Sequence, residues 1–351
     1  MRLVRLVGVK IDKRFFSELE VVKKKLDEAK QPFFFFDDDP DGVCAFLQFY
    51  KYKKEGDWQM VRSSPSLNEQ YIRKINPLND KIFILDKPLV SKQFLEQTKN
   101  DYEIIWVDHH EPQEEKGIIY TNPRNYEINI PTALITYFIV KESLWVAAVG
   151  SIGDWFLPPF IDELSEKFPD LISKDIKTPE EALFNSGFGT IAKIISFNLK
   201  GKGNQIKKSI KSLIQIKDPH EILLGTTPAG TYLLKRFNNL NSEFEEHLKK
   251  AKESAKGKLV LYIYNSQTSF TKELANELLY NFPDKVVVVG REAEGHIRLS
   301  FRSAKHNLLE LLPKVFEGLN GGAGGHEHAC GGHISKSQLE TMIQKLKKVI
   351  S

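Results

Sequence analysis

Phe33-Phe34-Phe35-Phe36-Asp37-Asp38-Asp39-Pro40-Asp41-Gly42 decides the fold. Four consecutive phenylalanines leave no polar side for solvent, so this strand is buried on both faces, as in a parallel sheet covered by helices. Its acidic end is therefore held rigidly. Three further apolar segments end in the same way: Ile82-Phe83-Ile84-Leu85 runs into Asp86, Glu103-Ile104-Ile105-Trp106-Val107 into Asp108-His109-His110, and Val146-Ala147-Ala148-Val149-Gly150-Ser151-Ile152-Gly153 into Asp154. In an open parallel sheet, ligands bind at the edge formed by the carboxyl ends of the strands. One edge carrying several carboxylates and one or two imidazoles reads first as a metal site.

The pattern outside these segments sets the architecture. Helical spacing over 14–30 (Phe15, Leu19, Val22, Leu26) stops before Pro32. Strands are expected near 33–36, 58–62, 81–85, 103–107 and 118–121, and helices near 42–54, 67–75, 91–98, 131–141 and 143–150. This alternation predicts an α/β domain with a mostly parallel sheet over 1–159. Residues 160–256 read as a helical middle segment broken by Pro and Gly, ending in one long linker helix over 231–256. A smaller α/β domain is expected over 257–351, with strands at 259–264, 285–289 and 296–301, helices at 271–281 and 307–316, a Gly-rich loop stretch at 318–332 and a last helix near 336–349. With 351 residues the chain is too long for one ordinary core.

Composition narrows the classes. The hydrophobic fraction of 41% is that of a globular protein, and a mean hydropathy of -0.33 argues against a membrane protein. No apolar run approaches the ~20 residues of a spanning helix. Met1 to Lys10 has no apolar stretch of useful length, so no secretory leader is expected. Cys44 and Cys330 lie in different halves of the chain and read as small buried residues, which fits a reducing, cytoplasmic compartment and no disulfide framework. The net charge of +4 tolerates an anionic substrate without demonstrating one. Its distribution is more informative. Gly187 to Lys217 holds seven lysines (Lys193, Lys200, Lys202, Lys207, Lys208, Lys211, Lys217) and no acid, which reads either as a solvated helix face or as a phosphate-tracking surface.

So many acids in one turn cannot pack together without cations. The plainer reading of Asp37 to Gly42 is an acidic turn with Asp39 or Asp41 capping a helix. A strand-end Asp86 alone is no more than a cap or turn residue. A neutral imidazole suits a borderline metal and a neighbouring Asp can orient it. The side chains of adjacent His109 and His110 diverge, so one ligates while the other faces the substrate.

Taken in order, Asp-x-Asp-x-Asp-Gly at 37–42, strand-end Asp86, Asp108-His109-His110 and Gly153-Asp154 resemble the DHH phosphoesterase superfamily. Leu299-Ser300-Phe301-Arg302-Ser303 resembles the Ser-x-Arg-Ser strand of the DHH-associated C-terminal domain. Gly324-Gly325-His326-Glu327-His328-Ala329-Cys330-Gly331-Gly332 resembles that domain's Gly-Gly-His-x-x-Ala-x-Gly signature, and Asn122-Pro123 also recurs in the family. Acid rather than histidine at Asp37 is similar to the RecJ exonuclease branch. The resemblance spans roughly 33–155 and 257–335. Lys87-Pro88 departs from it, because small residues or Gly are expected after Asp86. His328 and His333 have no family counterpart.

The resemblance implies a hydrolase with two Mn2+ or Mg2+ ions held by Asp37 or Asp39 and by Asp41, Asp86, His109 and Asp154, with Asp86 bridging. Asp108 would orient the motif and His110 would meet the scissile phosphate. Arg302, Ser303, His326 and the backbone amides at Gly324 and Gly325 would hold phosphates. The implied activity is phosphodiester hydrolysis of single-stranded DNA or RNA from an end, with replication or repair proteins as partners. Short oligonucleotides or cyclic dinucleotides are the alternative substrates. A non-enzymatic replication scaffold is the third reading, and the intact acids and histidines argue against it. The segment 160–256 matches no known pattern and is expected to govern substrate choice.

Overall fold

The computed structural model describes residues 12–62, 66–113, 115–293 and 295–350. Met1 to Lys10, read above as carrying no leader, lies outside the described residues. The chain divides into two compact units, Met1–Phe237 and Asn238–Ser351.

The first unit opens with helix α1 (Lys13–Glu28), capped by Asp12, whose side chain accepts the Arg14 amide at 2.8 Å. Its buried stripe is Phe15, Leu19, Val22 and Leu26, as the spacing predicts. Strand β1 (Pro32–Asp37) leads into α2 (Pro40–Lys53), then β2 (Asp57–Val61), β3 (Lys81–Leu85), α3 (Lys92–Thr98), β4 (Glu103–Val107) and β5 (Ile119–Thr121). The five strands form one sheet in the order β2-β1-β3-β4-β5, and every pairing is parallel. The chain leaves β1 towards β2 on one side and returns to β3 on the other, which places a topological switch point between β1 and β3.

All six residues of β1 are buried. Phe33 and Phe35 pack on one face with Ile82, Ile84, Trp106 and Phe94. Phe34 and Phe36 pack on the other, where Phe34 stacks on Phe83 and Phe36 on Phe46 of α2. Each such ring removed from water contributes roughly 1.5–3 kcal/mol, so the strand is anchored from both sides.

Helices α4 (Thr132–Val140) and α5 (Leu144–Gly153) pack with α2. The middle segment is helical, as read: α6 (Ile161–Lys167), α7 (Pro179–Asn185), α8 (Gly187–Asn198), α9 (Gly203–Gln215), α10 (Pro219–Leu224) and α11 (Pro228–Glu253). The unit boundary at Phe237 falls within α11, so the segment read as 160–256 contributes residues to both units.

The second unit contains β6 (Ala255–Lys256), β7 (Leu259–Tyr264), α12 (Thr271–Asn281), β8 (Val286–Ala293), β9 (His296–Arg302), α13 (Leu308–Phe316), β10 (Gly321–His326), β11 (Ala329–Ser335) and α14 (Leu339–Ile350). Its sheet order is β10-β11-β9-β8-β7-β6. Only the β7–β8 pair is parallel. No helix among the described residues is long and apolar enough to cross a membrane.

Three expectations change. The helix expected at 67–75 is a short 3-10 turn at Glu69–Lys74, because Leu67 is drawn into a parallel bridge with Val90 and Asn76-Pro77 closes the other end. The Gly-rich stretch is no loop but the hairpin β10–β11. Gly325 makes it feasible: its φ is +147°, and a Cβ there would lie 2.5 Å from the Ala329 carbonyl oxygen. Asp154 arrives from the C-terminus of helix α5 rather than from the end of a strand.

Close helix packing beneath the acidic motif rests on Gly150. A Cβ there would lie 2.4 Å from that of Ala133 and 2.8 Å from that of Cys44. Gly150→Ala should therefore destabilise the protein by roughly 1–3 kcal/mol through overpacking, measured as a lower urea midpoint. An unchanged midpoint would mean that α2, α4 and α5 pack less closely than this.

Candidate functional site

Parallel register brings the motifs to one level. Phe36 pairs with Leu85, and Leu85 with Val107. The next residues, Asp37, Asp86 and Asp108, therefore leave three adjacent strands side by side. Asp86 does so with φ of 59°, a left-handed conformation that an Asp tolerates better than most side chains.

Both readings of the first motif hold in part. Asp39 is the N-cap of α2 and accepts the Gly42 amide at 3.1 Å. Gly42 lets α2 start directly against the strand end, since a Cβ there would lie 2.8 Å from the Asp37 nitrogen. Asp37, Asp39 and Asp86 bring ligand oxygens within 4.8 Å of one another. Asp41 does not share their direction. Helix α2 turns its carboxylate to the start of α4, where it accepts the amides of Thr132 at 2.8 Å and Ala133 at 2.9 Å. A carboxylate at a helix N-terminus is well placed electrostatically.

The imidazole of His109 joins these groups. Its Nε2 lies 3.4 Å from Asp86 Oδ1, 3.7 Å from Asp154 Oδ2 and 3.9 Å from Asp41 Oδ2. His110 borders the same cluster but is held by Asp108: its Nδ1 is 2.9 Å from Asp108 Oδ1 and 3.9 Å from Asp86 Oδ1, and its backbone amide donates to Asp108 Oδ2. Asp108 is fully buried and His110 half-buried. The two histidine rings do not diverge as expected but meet edge to face, with centroids 4.5 Å apart and planes at 61°.

Of the supporting residues, Thr132 and Arg124 carry no local sequence signal, whereas Asn122 belongs to the Asn122-Pro123 pair noted in the sequence. Thr132 donates its hydroxyl to Asp86 Oδ1 at 3.0 Å. Asn122 donates to the His110 carbonyl, and Arg124 to the His109 carbonyl at 2.7 Å, so the loop after β4 is clamped from beneath. The departure at Lys87 proves structural. Its side chain is buried, and its Nζ donates to Asp37 Oδ1 at 2.6 Å.

Burial and mutual repulsion raise the carboxyls. Asp37 is pushed up to about 6 by burial and by Asp39, against the pull of Lys87. Asp41 and Asp86 rise well above the usual carboxylate range, through burial first and neighbouring acids second. For His110, burial opposes the charged form, but the Asp108 hydrogen bond and surrounding acids outweigh it and raise its pKa. Buried carboxylates with an imidazole fit a Mn2+ or Mg2+ ion, which takes oxygen ligands and tolerates a nitrogen. Asp41, Asp86, His109 and Asp154 would hold it.

In the second unit the register Arg302–Ala329–His326 crosses three strands, so these residues stand in one row at the same end of the sheet. Arg302 is buried, donating to Asn276 Oδ1 at 2.6 Å and to the Phe301 carbonyl at 2.8 Å. Burial lowers its pKa to about 10, which leaves it cationic at neutral pH. His326, Gly324 and Gly325 are exposed on the hairpin. Ser303 Oγ accepts the His306 amide, while its carbonyl meets His328 Nδ1 at 2.9 Å and its amide donates to the His328 carbonyl. His328, unassigned in the sequence, thus ties the end of β9 to the hairpin turn.

The raised carboxyls set a pH test. Each holds its proton more tightly in the folded chain than unfolded, so it favours the metal-free fold at low pH. That contribution is lost as pH rises through about 6 for Asp37 and further up for Asp41 and Asp86, which are raised more strongly. A divalent ion binds the ionised cluster and competes with those protons. The gain in Tm on adding Mn2+ should be small near pH 5 and large near pH 8. Equal gains at both would remove the raised carboxyls from metal binding.

Known proteins share parts of this architecture. The DHHA1 domain model matches residues 256–351. The RecJ of Thermus thermophilus, solved with Mn2+, superposes with a TM-score of 0.67 at 16% identity over 96% of this chain. The chain spans 54% of the length of that protein. A manganese-bound exonuclease RecJ gives a TM-score of 0.61 at 15% identity, covering 95% of this chain and 94% of the other. The pGpG-specific phosphodiesterase PggH of Vibrio gives 0.54 at 14% identity, covering 92% and 99%. No curated protein matches the sequence. Residues 256–351 therefore match a DHHA1 domain, and the chain has a RecJ-like fold.

Proposed function

We propose that the chain is a metal-dependent phosphodiesterase that hydrolyses single-stranded nucleic acid from an end. The observation that carries this is the convergence of Asp41, Asp86 and Asp154 on His109 Nε2 within 3.4–3.9 Å. Bound there, Mn2+ or Mg2+ would supply Lewis acidity towards the phosphodiester and a more acidic water. His110, with Nδ1 fixed by Asp108, turns Nε2 to the scissile phosphate and carries a proton readily because its pKa is raised. The row from Arg302 to His326, with Ser303 and the amides at Gly324 and Gly325, binds further phosphates. The cysteine usage supports a cytoplasmic setting.

Single strands are favoured over dinucleotides by the basic face of α9. Lys202, Lys207, Lys208 and Lys211 are all exposed there, opposite buried Ile206, Ile210 and Leu213. That face offers phosphate contacts along a strand.

The direct test uses end-labelled DNA and RNA of about two to forty nucleotides with Mn2+ or Mg2+, with products resolved by size. Each phosphate contact contributes a salt slope of roughly -0.7 on single strands. The KM for a long strand should therefore rise steeply with salt, and replacing the four lysines by Gln should flatten that slope while leaving dinucleotide cleavage nearly untouched. An unchanged slope would favour the short-oligonucleotide or cyclic-dinucleotide reading. His109→Ala should abolish hydrolysis of every substrate, and retained turnover would sink the metal-dependent reading itself.

A further inference from the structure

Beside the groups Asp41, His109, Asp154 and Asp86, His109, His110, which share the His109 imidazole, Asp37, Asp39 and Asp86 offer a further group of ligand oxygens within 4.8 Å of one another, and two ions are the expectation drawn from the motifs. The residues around that group do not fit a second divalent ion. Lys87 follows Asp86 directly, and Asp86 itself takes a left-handed backbone conformation with φ of 59°. The Lys87 backbone is pinned there by Trp106, whose Nε1 donates to its carbonyl at 3.1 Å. Its side chain is 1% exposed, and Nζ reaches Asp37 Oδ1 at 2.6 Å and the Val61 carbonyl at 3.5 Å. A metal ligated by Asp37 would sit close beside this buried ammonium, two like charges in a poorly screened place.

We propose that the Lys87 ammonium takes the place of one metal ion, so that the centre binds a single divalent ion through Asp41, Asp86, His109 and Asp154. The proposal rests on the metal-dependent reading above. In it Lys87 is a positioning residue: it neutralises Asp37, holds it against the β1–β3 edge, and leaves Asp86 to serve one ion rather than bridge two.

The test is metal stoichiometry on the intact chain, independent of turnover. Mn2+ binding is followed by calorimetry, and the spin state by electron paramagnetic resonance, in which two ions ~3.5–4 Å apart give an exchange-coupled multiline spectrum and one ion gives six lines. Wild type should bind one Mn2+ per chain with the six-line spectrum. Asp37→Asn should keep that stoichiometry with Kd shifted by less than about tenfold, whereas Asp41→Asn should lose the ion. Lys87→Ala should gain a second Mn2+ and the coupled spectrum. Two coupled ions in wild type, or loss of an ion in Asp37→Asn, would overturn the substitution of lysine for metal while leaving the metal-dependent reading intact. No Mn2+ bound by wild type would overturn both. The wild-type measurement decides even where a variant fails to fold.

Discussion

Repulsion among buried carboxylates is the constraint on which the first unit depends. Asp37, Asp41, Asp86 and Asp108 are all buried at the carboxyl edge of one sheet, where like charges are poorly screened. The fold answers by giving each its own partner. Asp41 takes two amides at the start of α4, Asp86 a threonine hydroxyl, Asp37 an ammonium, and Asp108 the amide and ring of His110. None of these partners is interchangeable, so the edge is held in one arrangement. That arrangement also costs stability, and the aromatic packing on both faces of β1 offsets it.

Backbone geometry shows the same tension. Asp86 and Trp155 both have positive φ, and a bulky residue such as Trp155 reaches that region only where its surroundings over-determine it. Both positions lie at the site: one is an acid of the cluster, the other follows Asp154 at the end of α5. Small residues do the complementary work from below. Gly42 and Gly150 let α2, α4 and β1 approach closely enough that Asp41 can reach the α4 amides. The acidic motif is thus as much a packing motif as a set of candidate ligands.

Much of this was legible in the sequence, and the reason is local. Runs such as Phe33 to Phe36 and Ile82 to Leu85 can only be buried strands, and a parallel sheet brings their ends to one edge. Three of the four acidic or histidine-bearing segments could be recognised for the same reason, while the fourth, ending at Asp154, is helix α5. What was not legible depends on distance along the chain. Thr132 and Ala133 meet Asp41 across some ninety residues of sequence, and nothing in Pro131-Thr132 announces that beyond a helix start. Periodicity could not tell that the Gly-rich stretch would pair as strands, because glycine carries no side chain to alternate. Lys87 was visible as an anomaly, but its meaning depends on where its ammonium points.

That direction divides the acidic edge into two kinds of charge compensation. A lysine is a fixed cation: it arrives with the chain, cannot dissociate, and satisfies its carboxylate as soon as β1 and β3 pair. A divalent ion is exchangeable and stronger, and its ligands must wait for it. The carboxyls differ accordingly. Asp37, beside Lys87, rises only to about 6, while Asp41 and Asp86, which face His109, rise well above the usual range. The half of the edge with a built-in cation can therefore form without metal, and the acids raised furthest lie where His109 supplies a nitrogen. A carboxylate cluster compensated in this way keeps its shape in the absence of metal and yet reserves its strongest electrostatic demand for one position, the one a dication would fill.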